Sequence, residues 1–89
     1  MRAARRDTNE SQIVAALRDM GYVVGYLYSL ADICCRRSHW PEGQYVLLEL
    51  KGEDGDLTAR QISDRAAGHS IPVVRTVEEA LGVLDAAGG

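Results

Sequence analysis

The sequence predicts an α/β domain: a mixed central sheet flanked by helices, with elements in the order α-β-β-β-α-β-α. Three observations lead to it. Three stretches open on a cap pattern (Asn9 with Gln12, Thr58 with Gln61, Thr76 with Glu79) and continue with apolar residues at helical spacing. Four short runs rich in Val, Ile, Leu, Tyr and Cys lie between or beside them and read as strands. Two of those runs flank a single turn, Ser38 to Gly43, and another follows a helix, so a hairpin and a helical crossover share one sheet.

In order along the chain, residues 1–8 are a basic, polar arm carrying Arg2, Arg5 and Arg6. The domain occupies residues 9–85, and 86–89 form a tail. Asn9 begins the first helix, whose inner stripe is Ile13, Val14, Ala16, Leu17 and Met20, and Gly21 ends it. Tyr22 to Tyr28 read as the first strand, with Gly25 as a weak point or bulge. Asp32 to Arg37 and Gln44 to Lys51 are the arms of a hairpin centred near Trp40 and Pro41. That register sets Asp32 opposite Glu49, although a slip of one residue would turn it to the other face. Gly52 to Asp56 are a turn by composition. Thr58 caps the second helix, with Ile62, Ala66 and Ala67 inward and Gly68 closing it; Ile71 to Arg75 form the last strand. Thr76 starts the third helix over Ala80, Leu81, Val83 and Leu84.

Eighty-nine residues make one small domain, and the lack of Phe leaves an aliphatic core. A net charge of −3 provides no global basic field for nucleic acid, so any such contact depends on local clusters. No apolar run approaches the ~18 residues of a membrane span, and no signal peptide is evident. Cys34 and Cys35 are adjacent and face opposite ways in a strand, which disfavours an intrachain disulfide and fits a cytoplasmic setting. A zinc site built from a cysteine and His39 lacks enough ligands to close.

The chemistry concentrates in Tyr45-Val-Leu-Leu-Glu-Leu-Lys51. Alternation puts Val46, Leu48 and Leu50 on one face and Tyr45, Leu47, Glu49 and Lys51 on the other. A carboxylate and an ammonium therefore share one side of an apolar strand, and Lys51 is the only lysine among ten basic residues. Lysine differs from arginine in being a compact point charge with a tunable pKa. With Asp32 opposite, the set suits a hard divalent cation, normally Mg²⁺, and metal-assisted phosphodiester hydrolysis. Taken alone, the same spacing also fits an aspartate that merely starts a strand and a Glu-x-Lys pair on a solvated face.

The run Glu49-Leu-Lys51-Gly-Glu-Asp-Gly55-Asp-Leu57-Thr58-Ala-Arg-Gln61 resembles the core of the VRR-NUC type of PD-(D/E)XK nuclease, close to Holliday-junction-resolvase-like enzymes of phages and bacteria. Glu10-Ser-Gln-Ile13 is similar to that family's first helix, and Pro72-Val-Val-Arg-Thr-Val-Glu-Glu-Ala80 to its closing strand and helix, so the resemblance runs from Asn9 to Leu84. It implies a restriction-endonuclease-like core and an Mg²⁺- or Mn²⁺-dependent deoxyribonuclease acting on branched or flapped DNA, with a homodimer as the assembly. By the same resemblance Asp32, Glu49 and the backbone carbonyl of Leu50 hold metal, and Glu10 lies at the site's edge, binding it directly or through water. Lys51 positions water or phosphate, and Gln61 approaches from the second helix, where it equally completes a cap. Arg36, Arg37 and Arg60 are candidate phosphate contacts, as is Arg65. Trp40 is expected to pack against a second subunit or stack on a base, and His69 is assigned no chemistry. Where the family has a glycine-rich loop and a proline before the aspartate, this chain has Tyr28-Ser-Leu-Ala31, and Glu53, Asp54 and Asp56 make the turn after Lys51 acidic. Two alternatives stay open at this point: a nuclease-fold module without catalysis that binds nucleic acid or a protein, and a scaffold in which Glu49 and Lys51 are an ordinary surface pair.

Overall fold

The computed structural model describes residues 8–52 and 56–88. Seven elements follow one another: α1 (Thr8–Asp19), β1 (Val23–Tyr26), β2 (Ile33–Arg36), β3 (Val46–Leu50), α2 (Ala59–Ala66), β4 (Val73–Val74) and α3 (Val77–Ala86). The sheet order is β1-β2-β3-β4, antiparallel for the first two pairs and parallel for β3 and β4. The molecule is thus a mixed four-stranded sheet with three helices, in the element order the sequence predicts. The arm (Arg2, Arg5, Arg6) and the acidic residues Glu53 and Asp54 lie outside the described residues.

Register follows from the hairpin. Ile33 pairs with Leu48 and Cys35 with Val46, and the Asp32 N–H donates to the Leu48 carbonyl at 3.1 Å. Extending the same register puts Asp32 opposite Glu49. Gly25 pairs in sequence with Cys34, so β1 carries no bulge there; a Cβ on Gly25 would lie 3.3 Å from the Cys34 sulfur. The glycine accommodates that side chain without breaking the ladder.

One face of the sheet builds the core. Val24, Ile33, Cys35, Leu48, Leu50 and Val74 meet Ile13, Val14 and Leu17 of α1 and Ala80 and Leu84 of α3. Burial of this aliphatic set, at about 25 cal/mol per Å² of apolar surface, is the main stabilising term. Gly21 ends α1 as expected: its φ of +92° suits a residue without Cβ, and the Tyr22 N–H reaches back to the Leu17 carbonyl. Met20 is exposed because it falls past the last buried turn.

The other face is covered differently. Helix α2 buries no residue, and Ile62, expected to point inward, is 56% exposed. Tertiary position decides this: α2 lies between β3 and β4 in the chain, meets β3 through the Gln61–Glu49 bond, and contributes no residue to the aliphatic core. Trp40 is buried within the chain, its indole N–H donating to the Gly88 carbonyl at 3.2 Å, so the hairpin tip packs on the end of α3 and not on a solvent-facing surface. No helix among the described residues is long and apolar enough to cross a membrane.

Candidate functional site

The site sits where β2 begins and the parallel strand β3 ends. The carboxyl ends of parallel strands are where open α/β sheets place their ligands. Glu49, on the side of β3 facing away from the core, is only 3% exposed. The Asp32 carboxylate accepts the Leu50 N–H at 2.8 Å, which turns it toward the end of β3 and fixes it beside Glu49. Burial first, then the charge of Asp32, push the Glu49 carboxyl up to about 7; a hydrogen bond to Asp32 adds to this, while Lys51 and the Gln61 N–H pull the other way. A surface pair would show none of this, so Glu49 and Lys51 are not an ordinary solvated pair. Two acidic groups here crowd each other, which favours a proton on Glu49.

Gln61 resolves the choice between cap and site by serving both. Thr58 is the N-cap of α2, accepting from the Gln61 N–H at 3.2 Å, and the Gln61 side-chain oxygen accepts the Thr58 N–H at 2.8 Å. With its oxygen turned to the cap, the Gln61 amide nitrogen is left to donate to a Glu49 carboxylate oxygen. The capping box therefore orients the amide that holds Glu49.

The segment before Asp32 has a definite form. The Ala31 N–H donates to the Ser29 carbonyl at 2.9 Å, and Leu30 between them has φ +76°. These are the marks of a γ-turn of the strained hand, rare for a residue with a side chain. It makes Leu30 one wall of an open cleft whose other walls are Glu49, Gln61, Asp64, Arg65, His69 and Ile71. His69, given no role from sequence, thus lines the same cleft as Glu49. Only the folding of the α2–β4 loop shows this.

Other candidates are placed as follows. Glu10 is buried in the first turn of α1. Among the described residues no group of three or more His, Cys, Asp and Glu gathers to hold a metal. Arg36 donates to the carbonyls of Trp40, Pro41 and Gln44 and lies over the Tyr45 ring, which clamps the hairpin turn. Arg37 donates to the Met20 carbonyl and lies 3.8 Å from the centre of the Tyr22 ring. Both guanidinium groups are engaged by the fold, so a phosphate would have to compete for them. Arg60 is exposed on α2, 4.0 Å from Asp64. Arg65 donates to the Ile71 carbonyl, which ties α2 to β4. Cys34 and Cys35 are free thiols; burial, reinforced by Cys34, pushes Cys35 up to about 12, so it is an inert core group.

Asn9 is the residue whose role sequence reasoning misread. It is the second residue of α1, not its cap, and its side-chain amide donates to the carbonyls of Lys51 and Arg75. Nothing in the local pattern distinguishes it from a cap, because both partners lie far along the chain. Comparison of the chain with protein-family models, with curated proteins and with solved structures returns no match.

Proposed function

We propose that the chain is a metal-dependent endonuclease that hydrolyses DNA phosphodiester bonds, with Mg²⁺ or Mn²⁺ as its ion and a restriction-endonuclease-like core as its framework. The observation that carries this reading is the pairing of half-buried Asp32 with buried Glu49 at the end of β3, with the only lysine two residues on and Glu49 pushed up to about 7. Two crowded carboxylates are a donor set of the right hardness for a small divalent ion, which keeps water in its remaining positions. The residues fit the group. When bound, such an ion supplies Lewis acidity toward a phosphoryl oxygen and a more acidic water.

The chain's own residues do the rest. Asp32, held by the Leu50 N–H, and Glu49, held by Gln61, lie within hydrogen-bond reach of each other and would share the ion. The Leu50 carbonyl is proposed as a further ligand from the same turn of backbone. The Lys51 ammonium offsets negative charge that grows on the phosphate oxygens, or orients the attacking water. Glu10 takes part only through water in this reading. The cleft beside Glu49, walled by Leu30 and Ile71 and lined also by Arg65 and His69, is small and open, so the strand to be cut would lie across its mouth. Arg60 is retained as a phosphate contact on exposed α2. A homodimer acting on branched duplex in the cytoplasm, as the resemblance implies, belongs to the same proposal and is tested by sedimentation and by a panel of flapped and four-way DNA.

The decisive experiment is a calorimetric Mn²⁺ titration of the native chain and Asp32→Ala, paired with a cleavage assay. Binding by the native chain, its loss in the variant, and Mn²⁺-dependent cutting are expected. Equal or absent Mn²⁺ binding in both chains overturns the metal site. Metal binding without cutting across the DNA panel favours the non-catalytic module.

A further inference from the structure

β3 ends at Leu50, so Lys51 is the first residue beyond the strand, where backbone is free to fray. It is nevertheless held on both sides. Its N–H donates to the Val74 carbonyl at 3.1 Å, and its carbonyl accepts from the Asn9 amide nitrogen at 2.9 Å. The same Asn9 nitrogen donates to the Arg75 carbonyl at 3.2 Å, and the Arg75 guanidinium donates to the Gly52 carbonyl. One –NH₂ group on α1 thus joins the chain just past the ends of two adjacent parallel strands, and Arg75 secures the next residue.

We infer that Asn9 is a positioning residue for Lys51: it fixes the backbone from which the ammonium is aimed, and its catalytic consequence rests on the nuclease reading above. The chemistry of the side chain explains why asparagine stands there. Two carbonyl oxygens require two N–H donors on a short stem. Aspartate has the same shape but no donor, and would set a carboxylate against both carbonyls. Serine supplies a single donor. Asp32 and Glu49 are anchored independently, by the Leu50 N–H and by Gln61, so loss of the clamp acts on Lys51 and leaves the carboxylate pair in place. Misplacing a catalytic group by about 1 Å costs on the order of 100-fold in rate.

The test uses the full chain with Asn9→Ala, Asn9→Ser and Asn9→Asp. Two readouts are followed: Mn²⁺-dependent cleavage, and amide hydrogen exchange at Lys51 and Leu50. Expected are a fall in kcat of about 10- to 100-fold in Asn9→Ala, a smaller fall in Asn9→Ser and a larger one in Asn9→Asp. Mn²⁺ affinity and KM for DNA should stay within about twofold, since the clamp touches neither ligand. Exchange at the Lys51 amide should accelerate, with the Leu50 amide, bonded to Asp32, unaffected. Unchanged Lys51 exchange in all three variants overturns the clamp whether or not the chain cuts DNA, as does a parallel loss of Mn²⁺ affinity and kcat. Accelerated Lys51 exchange in a protein whose native form does not cut DNA supports the clamp and overturns the nuclease reading instead.

Discussion

At Glu49 burial and charge are in conflict, and the protein carries the conflict as a pH dependence. A carboxyl whose folded value of about 7 lies above its ordinary 4.5 contributes stability that is fully present below 4.5 and is lost as pH rises through 7. The metal-free protein should therefore melt at progressively lower temperature between those limits. Glu49→Gln keeps an oxygen for Gln61 and offers N–H to Asp32, so it should flatten that slope and stabilise the metal-free chain at pH 8 by on the order of 2 kcal/mol. Thermal melts of both chains across pH 4 to 8 in chelator measure this, and parallel slopes would refute it. Lys51→Ala should lower cleavage by ~100- to 1000-fold while Mn²⁺ binding by calorimetry persists, because the ammonium acts on the reaction and not on the ion. Leu30 offers a test of backbone strain. At φ +76° a β-branched side chain is worse placed than any other, so Leu30→Val should be less stable than Leu30→Gly by about 1 to 2 kcal/mol in urea titrations, although valine keeps more apolar surface.

Among the elements, α2 stands apart. It buries no residue, and it is held to the rest of the chain by its N-terminal capping box, the Gln61–Glu49 bond and the Arg65–Ile71 bond. An amphipathic helix normally draws its stability from a buried face, and one without it opens first. Thr58→Ala removes the cap at a cost of about 1 kcal/mol, and that cost should appear as faster amide exchange through Ala59–Ala66 with little change in global stability. The residue-58 backbone N–H that holds the Gln61 side-chain oxygen is kept in this variant, so activity should fall only as far as the helix frays. Helix α3 shows a variation on the same device: Thr76 accepts from the Glu79 N–H, but the Glu79 carboxylate reaches past the cap to the Arg75 N–H. That bond immobilises the residue whose carbonyl accepts from Asn9 and whose guanidinium braces Gly52.

For the whole molecule, stability rests on one aliphatic layer between the sheet and the pair α1 and α3. Leu48 and Ile33, directly paired and fully buried, lie at its centre. Leu48→Ala should cost about 2 to 5 kcal/mol, a large part of the ~5 to 15 kcal/mol available to a domain of this kind, and chemical denaturation would show it. At the far end, Trp40 and Gln44 tie the hairpin to the carbonyls of Gly88 and Ala87. The hairpin register that places Asp32 opposite Glu49 is thereby braced at the tip as well as by its ladder.

The sequence by itself determined the order of elements, because strand alternation, cap chemistry and turn position are local rules; the register that sets Asp32 opposite Glu49 stayed open to a one-residue slip until the Ile33–Leu48 pairing decided it. The sequence also determined the Thr58 cap, whose donors and acceptors lie three residues apart. Tertiary structure decided that the Asn9 amide binds the carbonyls of Lys51 and Arg75, far along the chain, and that the Gln61 amide nitrogen reaches Glu49. It decided that α2 contributes no residue to the aliphatic core, leaving Ile62 in solvent, and that Arg36 and Arg37 are engaged by carbonyls and rings of the fold. Periodicity tells which face of a helix is apolar, but not whether a neighbour exists to cover it. Around Glu49 the same division holds: the residue type and its lysine were legible in the chain, and the burial that shifts its proton was not.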